Sequence, residues 1–302
     1  MAVDRNDILE RMQRVMGPLP GDERRCDLDV QPIEPPRTER VRAGRITYQA
    51  EPGDRVPAWL IMPAKVAKPL PAMLCLHQTT AIGKDEPAGI GGLPNLKYAF
   101  ELACRGYVTL TPDYPRFGDY RLDPATLGYA STTMKGVWNH MRGVDVLCDM
   151  PEVDAKRIGV IGHSLGGHNT LFVAAFDTRL KVAVTSAGFS TFATYYQPDL
   201  SAWGSKHYMP RIITEYGADA SRMPFDFTDV LAAIAPRALF VNAPVGDAFA
   251  IDGVRPCIEH VKPIYERAGL ADRLETAYPD CGHDFPPPVR EQAYAFVDRI
   301  FR

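Results

Sequence analysis

Ser164 stands in the run Gly162-His163-Ser164-Leu165-Gly166-Gly167, directly after the apolar stretch Ile158-Gly159-Val160-Ile161 and ahead of Asn169-Thr170-Leu171-Phe172-Val173-Ala174-Ala175. A strand that runs into a serine between glycines and continues as a helix describes a sharp turn, with the hydroxyl thrust out of the fold and two backbones passing closely behind it. This is a nucleophile elbow, and Ser164 is the candidate nucleophile. A serine hydroxyl attacks poorly at neutral pH, so the same chain must supply an imidazole base and a carboxylate to hold that base in the right tautomer.

Seven histidines are available. Where such an elbow occurs, the acid and then the histidine follow the serine in the chain, which sets aside His77, His140 and His163. His168 lies one helical turn beyond Ser164 on the elbow helix, His207 in a long aromatic segment and His260 inside a helical pattern. His283 fits the base best, because Asp280-Cys281-Gly282-His283-Asp284-Phe285 joins the last strand to the last helix at the carboxyl edge of the sheet. The geometry to look for is a hydrogen bond from the Ser164 hydroxyl to His283. For the acid, Asp247 follows the strand Ala238-Leu239-Phe240-Val241-Asn242 at loop distance, with Gly246 allowing a tight turn, and Asp252 is the rival that could instead cap the next helix. Acyl transfer also needs donors for a developing oxyanion. The Leu165 backbone N–H is one; Thr79 N–H is the other, with Gln78 as its alternative, in the loop after Ala72-Met73-Leu74-Cys75-Leu76-His77. His77 reads as a brace for that loop.

The elements that must position these groups alternate along the chain. Apolar, β-branched runs near 44–49, 57–62, 71–77, 107–111, 157–162, 181–186, 237–243 and 273–278 predict strands; helical periodicity marks 94–105, 132–148, 166–177, 255–268 and 288–301. The fold class is α/β, a mostly parallel central sheet flanked by helices. The turn Glu51-Pro52-Gly53-Asp54 leaves no room for a helix, so the sheet opens with an antiparallel hairpin. Residues 1–40, with a short amphipathic helix over 8–16, read as an N-terminal arm and 41–302 as the main domain. Within it, 187–230 is too long for an ordinary connection and is read as a cap-like insertion. Its aromatic side chains include Tyr195, Tyr196, Trp203 and Tyr208, taken as candidate substrate contacts.

Composition narrows the function classes. The 302 residues are 46% apolar and 24% charged, with net charge −3, enough for a large core and without a basic surface for nucleic acid. No apolar run approaches the roughly 20 residues that span a bilayer, and residues 1–20 lack a secretory pattern, so no membrane partner and a cytoplasmic location are expected. Six cysteines without a Cys-x-x-Cys pair read as free thiols. No metal-ligand or phosphate-cradle spacing occurs, so neither metal nor cofactor is expected. The oligomeric state is left open.

Over nearly its whole length the chain resembles the α/β-hydrolase superfamily. The run Pro151-Glu152-Val153-Asp154-Ala155-Lys156-Arg157-Ile158-Gly159 before the elbow, and Ala235-Pro236-Arg237-Ala238-Leu239 before the acid loop, look like its dienelactone hydrolase, acetyl xylan esterase and prolyl oligopeptidase branch. The resemblance implies an α/β-hydrolase fold, a Ser164–Asp247–His283 triad and hydrolysis through an acyl-enzyme. The expected function is that of a serine carboxylic ester hydrolase acting on small, acetyl-type esters, some of them carried by carbohydrates. A lactone or peptide-type hydrolase with the same triad, and a hydrolase-like binding protein without turnover, are the alternatives.

Overall fold

The computed structural model describes residues 4–33, the backbone of 37–38, residues 40–195 and residues 199–302. In chain order these form α1 (Arg5–Met16), two short strands β1 (Gln31–Pro32) and β2 (Arg37–Thr38), β3 (Val41–Glu51), β4 (Asp54–Pro63), β5 (Leu70–Leu76), α2 (Tyr98–Cys104), β6 (Val108–Pro112) and α3 (Thr132–Asp149). There follow β7 (Val153–His163), α4 (Leu165–Phe176), β8 (Leu180–Ser186), α5 (Arg211–Thr214), α6 (Phe227–Ile234), β9 (Ala238–Asn242), α7 (Ile251–Arg267), β10 (Leu274–Ala277) and α8 (Pro287–Phe301).

The strands make one ten-stranded sheet in the order β1-β3-β4-β6-β5-β7-β8-β9-β10, with β2 on β3. Pairing is antiparallel from β1 to β6 and parallel from β6 to β10. The change of sense follows the residue pattern. In the hairpin β3–β4 buried and half-buried positions alternate over 45–50 and 54–58, as in a strand with one covered face. Val108-Thr109-Leu110-Thr111-Pro112 and Ala238-Leu239-Phe240-Val241-Asn242 are buried throughout, as strands covered on both faces must be. Helices α3, α4, α6 and α7 pack a core on one face around Trp138, Phe172, Phe227 and Val254, and α2 and α8 pack the other around Tyr98, Leu102, Tyr294 and Phe296.

The predicted strands and helices agree with these elements to within a few residues. Four elements had no expectation: β1 and β2, too short to show a period, and α5 and α6, which lie in or overlap the segment 187–230. Asp226 N-caps α6 by accepting from Phe227 N–H, while Asp229 accepts from Asp226 N–H, a reciprocal cap that Asp-x-x-Asp spells out in sequence. Helix α1 packs on the body of its own chain. Ile8, Met12, Val15 and Met16 enter the core at helical spacing, and Arg11 donates to both carboxylate oxygens of Asp229 at 3.0 Å. Among the described residues no helix is long and apolar enough to cross a membrane.

Candidate active site

Strand β7 ends at His163 and α4 begins at Leu165, so Ser164 alone makes the turn, at φ 55° and ψ −117°. That backbone is costly for a side-chain-bearing residue and persists only when its surroundings impose it. The surroundings are evident. Ser164 N–H donates to Ser186 O at 2.8 Å, and the flanking glycines permit the close passage: a Cβ on Gly162 would lie 2.2 Å from Gly166 O. The turn leaves the Leu165 N–H at the first position of α4, where the helix offers it no carbonyl and its dipole is positive.

Asp247 and His283 arrive on the loops after β9 and β10, neighbours in the sheet. The loops are stitched together, Val245 N–H to Pro279 O at 3.0 Å and Gly246 N–H to Cys281 O at 2.9 Å. The Asp247 carboxylate is fully buried, accepts from Phe249 N–H at 2.9 Å, and lies 2.9 and 3.1 Å from His283 Nδ1. This places the imidazole proton on Nδ1 and leaves Nε2 as the basic nitrogen. Asp252, the rival acid, sits in the first turn of α7, and no hydrogen bond or ion pair joins it to His283 among the described residues.

Ser164 and His283 line one cavity of about 320 Å³ with His168, Tyr195, Ala202, Trp203, Tyr208, Ala248 and Phe249. No hydrogen bond joins the Ser164 hydroxyl to His283 among the described residues, which departs from the geometry expected of them. Catalytic hydrogen bonds are commonly long without substrate and tighten when the site is filled.

Of the expected substrate contacts, Tyr195, Trp203 and Tyr208 line the cavity; Tyr196 lies outside the described residues. Other aromatics of the same segment, Phe189 and Phe192, are buried in the core, so this connection packs on the helices as well as walling the cavity. Sequence reasoning missed His168, Phe249, Ala202 and Ala248. For His168 the signal was present: four residues after Ser164 on α4 is the same helix face. Burial lowers the His168 pKa to about 3, so its ring is neutral.

The loop after β5 reaches the rim of the cavity. The Thr79 hydroxyl is 3.2 Å from the Tyr208 hydroxyl, and the Gln78 side chain turns away to donate to Glu86 Oε1 at 3.1 Å. His77 is buried under it, accepting Tyr114 N–H at Nε2 at 2.9 Å and donating from Nδ1 to Gln78 O at 2.6 Å. Both ring nitrogens are committed to backbone, and burial lowers the ring's pKa, as a brace requires.

Comparison with known proteins agrees with this fold. The family model described as "Glucuronyl esterase, fungi" matches residues 125–269, a span that holds Ser164 and Asp247. The Bacillus subtilis strain 168 protein YtaP, provisionally designated a hydrolase, is 24% identical over 303 residues, covering 96% of this chain and 97% of its own. A glucuronoyl esterase from Solibacter usitatus superposes with a TM-score of 0.80 at 20% identity, covering 99% of this chain and 92% of that one. An acetyl xylan esterase from Paenibacillus sp. R4 does so with a TM-score of 0.66 at 18% identity, covering 98% and 92%.

Proposed function

We propose, from the premise that this chain is an α/β hydrolase and a serine ester hydrolase, that its substrate is a compact acyl ester of a polyhydroxylated, carbohydrate-like alcohol. Ser164 attacks the ester carbonyl and His283 Nε2 takes its proton. Asp247 orients the imidazole and stabilises the imidazolium. Leu165 N–H and Thr79 N–H, or Gln78 N–H in its place, receive the oxyanion; His283 then protonates the leaving alcohol, and water releases the acid by the same steps reversed.

The observation that carries the substrate reading is a group of three unmatched polar atoms on two side chains that line the cavity. Trp203 Nε1 and both ring nitrogens of His168 are buried without a hydrogen-bond partner. The Gly188 carbonyl draws on the His168 ring, raising its pKa against burial, without reaching hydrogen-bond geometry. A neutral imidazole carries one N–H and one bare acceptor nitrogen. An indole donor and an imidazole acceptor, their rings 4.7 Å apart, match a hydroxyl, which both donates and accepts. Leaving such groups dry costs about 1–3 kcal/mol each, so an alcohol that satisfies them binds better than an alkyl chain. A volume of about 320 Å³ is at the small end of ligand pockets, roughly 300–1,000 Å³, and favours a short acyl group.

The test compares kcat/KM for an acetylated monosaccharide, ethyl acetate and p-nitrophenyl esters of two to twelve carbons. The expected order is acetylated sugar over ethyl acetate, with p-nitrophenyl activity falling as the chain lengthens; a flat or long-chain-favouring profile rejects it. His168→Phe and Trp203→Phe should each lower kcat/KM for the sugar ester about tenfold and leave p-nitrophenyl acetate within threefold. A second reading, in which the sugar is the acid component, is favoured by the family match over residues 125–269. Activity on a benzyl ester of a uronic acid above that on the acetylated sugar would select it.

A further inference from the structure

His163, Ser186 and Asn242 are cross-strand partners at the carboxyl ends of β7, β8 and β9. Being in register, their side chains meet in a row beneath the site. Asn242 Nδ2 donates to Asp284 O at 3.0 Å and to Ser186 Oγ at 2.8 Å, and His163 Nδ1 is 2.8 Å from Ser186 Oγ. The donors can be assigned. A carbonyl only accepts, so Asp284 O fixes the amide nitrogen of Asn242, and Ser186 Oγ accepts from that nitrogen. Among the described residues His163 Nδ1 is then the one remaining partner of the Ser186 hydroxyl proton, which makes Nδ1 an acceptor and puts the imidazole proton on Nε2. Nε2 is buried without a partner among the described residues, and the His163 ring lies 4.6 Å from the ring of His283, which also has the Phe249 ring 6.2 Å away.

We propose that His163 is the positioning residue for His283. Asn242 and Ser186 lock its tautomer, and its ring and that of Phe249 hold the half-exposed imidazole while Asp247 bonds Nδ1. Asn242 acts twice, since its bond to Asp284 O also pins the backbone next to His283. Burial, and then the neighbouring His283, push the His163 pKa well below the ordinary histidine value. A neutral ring therefore meets the imidazolium that forms when Ser164 is deprotonated, where a cation would oppose it. Asp247 bonds Nδ1 of His283, and the carboxylate of the adjacent Asp284 is engaged by Asn95 Nδ2 at 2.7 Å.

This inference rests on His283 acting as the base, and the experiment separates the two. His283→Ala tests the base itself: retained turnover removes the reading beneath the inference. Ser186→Ala and His163→Phe, checked for wild-type thermal midpoints, test the positioning. Each should lower kcat and the rate of fluorophosphonate labelling of Ser164 together, by about tenfold, with KM within twofold, and should broaden the low-field His283 Nδ1 proton resonance. Ser186→Thr, which restores a hydroxyl, should recover most of the rate. Folded variants with kcat within twofold of wild type, or a loss confined to KM, overturn the proposal. Should either variant not fold, ¹⁵N spectra of the wild-type protein decide it: His163 must be neutral with its proton on Nε2 between pH 5 and 9, and a protonated Nδ1 overturns the relay.

Discussion

Gly166 lies so close to Leu76 that a Cβ added to it would stand 1.9 Å from the Leu76 carbonyl oxygen. The obstacle is backbone of the central strand β5, which cannot turn aside as a side chain could. Gly166→Ala should therefore destabilise the fold by about 3 kcal/mol or more and displace Ser164 from the cavity. Urea unfolding followed by tryptophan fluorescence measures the first effect and fluorophosphonate labelling the second; an unchanged midpoint would show that the two backbones can separate.

Ser164 holds a positive φ of 55° for the sake of its hydroxyl. Ser164→Ala should lower turnover by on the order of 10⁶ with the fold intact, and a retained rate within tenfold would contradict its role. Ser164→Gly should lose activity equally and gain about 1 kcal/mol of stability, read as a raised thermal midpoint.

The buried Asp247 carboxylate holds the proton of His283 on Nδ1. Asp247→Asn keeps the shape but presents an amide that can stabilise the opposite tautomer, and kcat should fall by roughly 10⁴. Asp252→Asn, in the first turn of α7, should stay within a few-fold of wild type. Equal losses in both variants would reopen the choice of acid.

Asp226 should make stability depend on pH in mild acid. Burial, aided by the Asp229 carboxylate, raises its pKa to about 6 against the opposing N–H groups of Phe227 and Phe192. The folded state thus holds this proton more tightly than the unfolded chain. The contribution is complete below the ordinary carboxylate pKa and is lost as pH rises through about 6, an effect on the order of 2–3 kcal/mol. Asp226→Asn keeps a cap acceptor without the charge and should flatten that part of the stability profile. An unchanged slope would place the titration elsewhere.

Lys135 is a fully buried cation between the hairpin β3–β4 and α3. Its Nζ lies 2.6 Å from Asp54 Oδ2 and also bonds Glu51, which Arg24 meets at 2.7 Å. Burial raises the Glu51 pKa, but the Lys135 and Arg24 bonds outweigh it and the net direction is down. Lys135→Met leaves Asp54 buried with, among the described residues, only the Tyr120 hydroxyl as partner, at 2.7 Å, and should cost about 3–5 kcal/mol at neutral pH. The deficit should shrink as pH falls and Glu51, without the Lys135 bond that helps hold its pKa down, takes up a proton; a deficit constant from pH 8 to pH 4 would mean that packing, not charge, was lost.

The elbow was legible because it is local: Gly162, Ser164 and Gly166 and the strand and helix around them span a dozen residues, and each spacing has one steric meaning. Strands β3 to β10 and the longer helices were legible because burial imposes on their side chains either a period or, where both faces are covered, an unbroken apolar run. The two-residue strands β1 and β2 carry no period at all. Helix α6 was hidden among aromatics that obscured its apolar face, although its Asp226–Asp229 cap was written in the chain. His168 was read only as a poor base, because sequence order ranks histidines by their place in the chain and not by the cavity they face.

By itself, then, the amino-acid order determined the sheet, the reaction type and a short list of candidates, since strand periodicity, turn sterics and the weakness of a serine nucleophile are properties of a segment. Which carboxylate meets which imidazole was decided only when β9 and β10 paired and brought the loops of Asp247 and His283 within hydrogen-bond reach. The same pairing aligned Asn242, Ser186 and His163, residues 56 and 23 positions apart in the chain, beneath one histidine ring. Hydrogen bonds and ring contacts act over a few ångströms of space, and only the tertiary fold sets those distances.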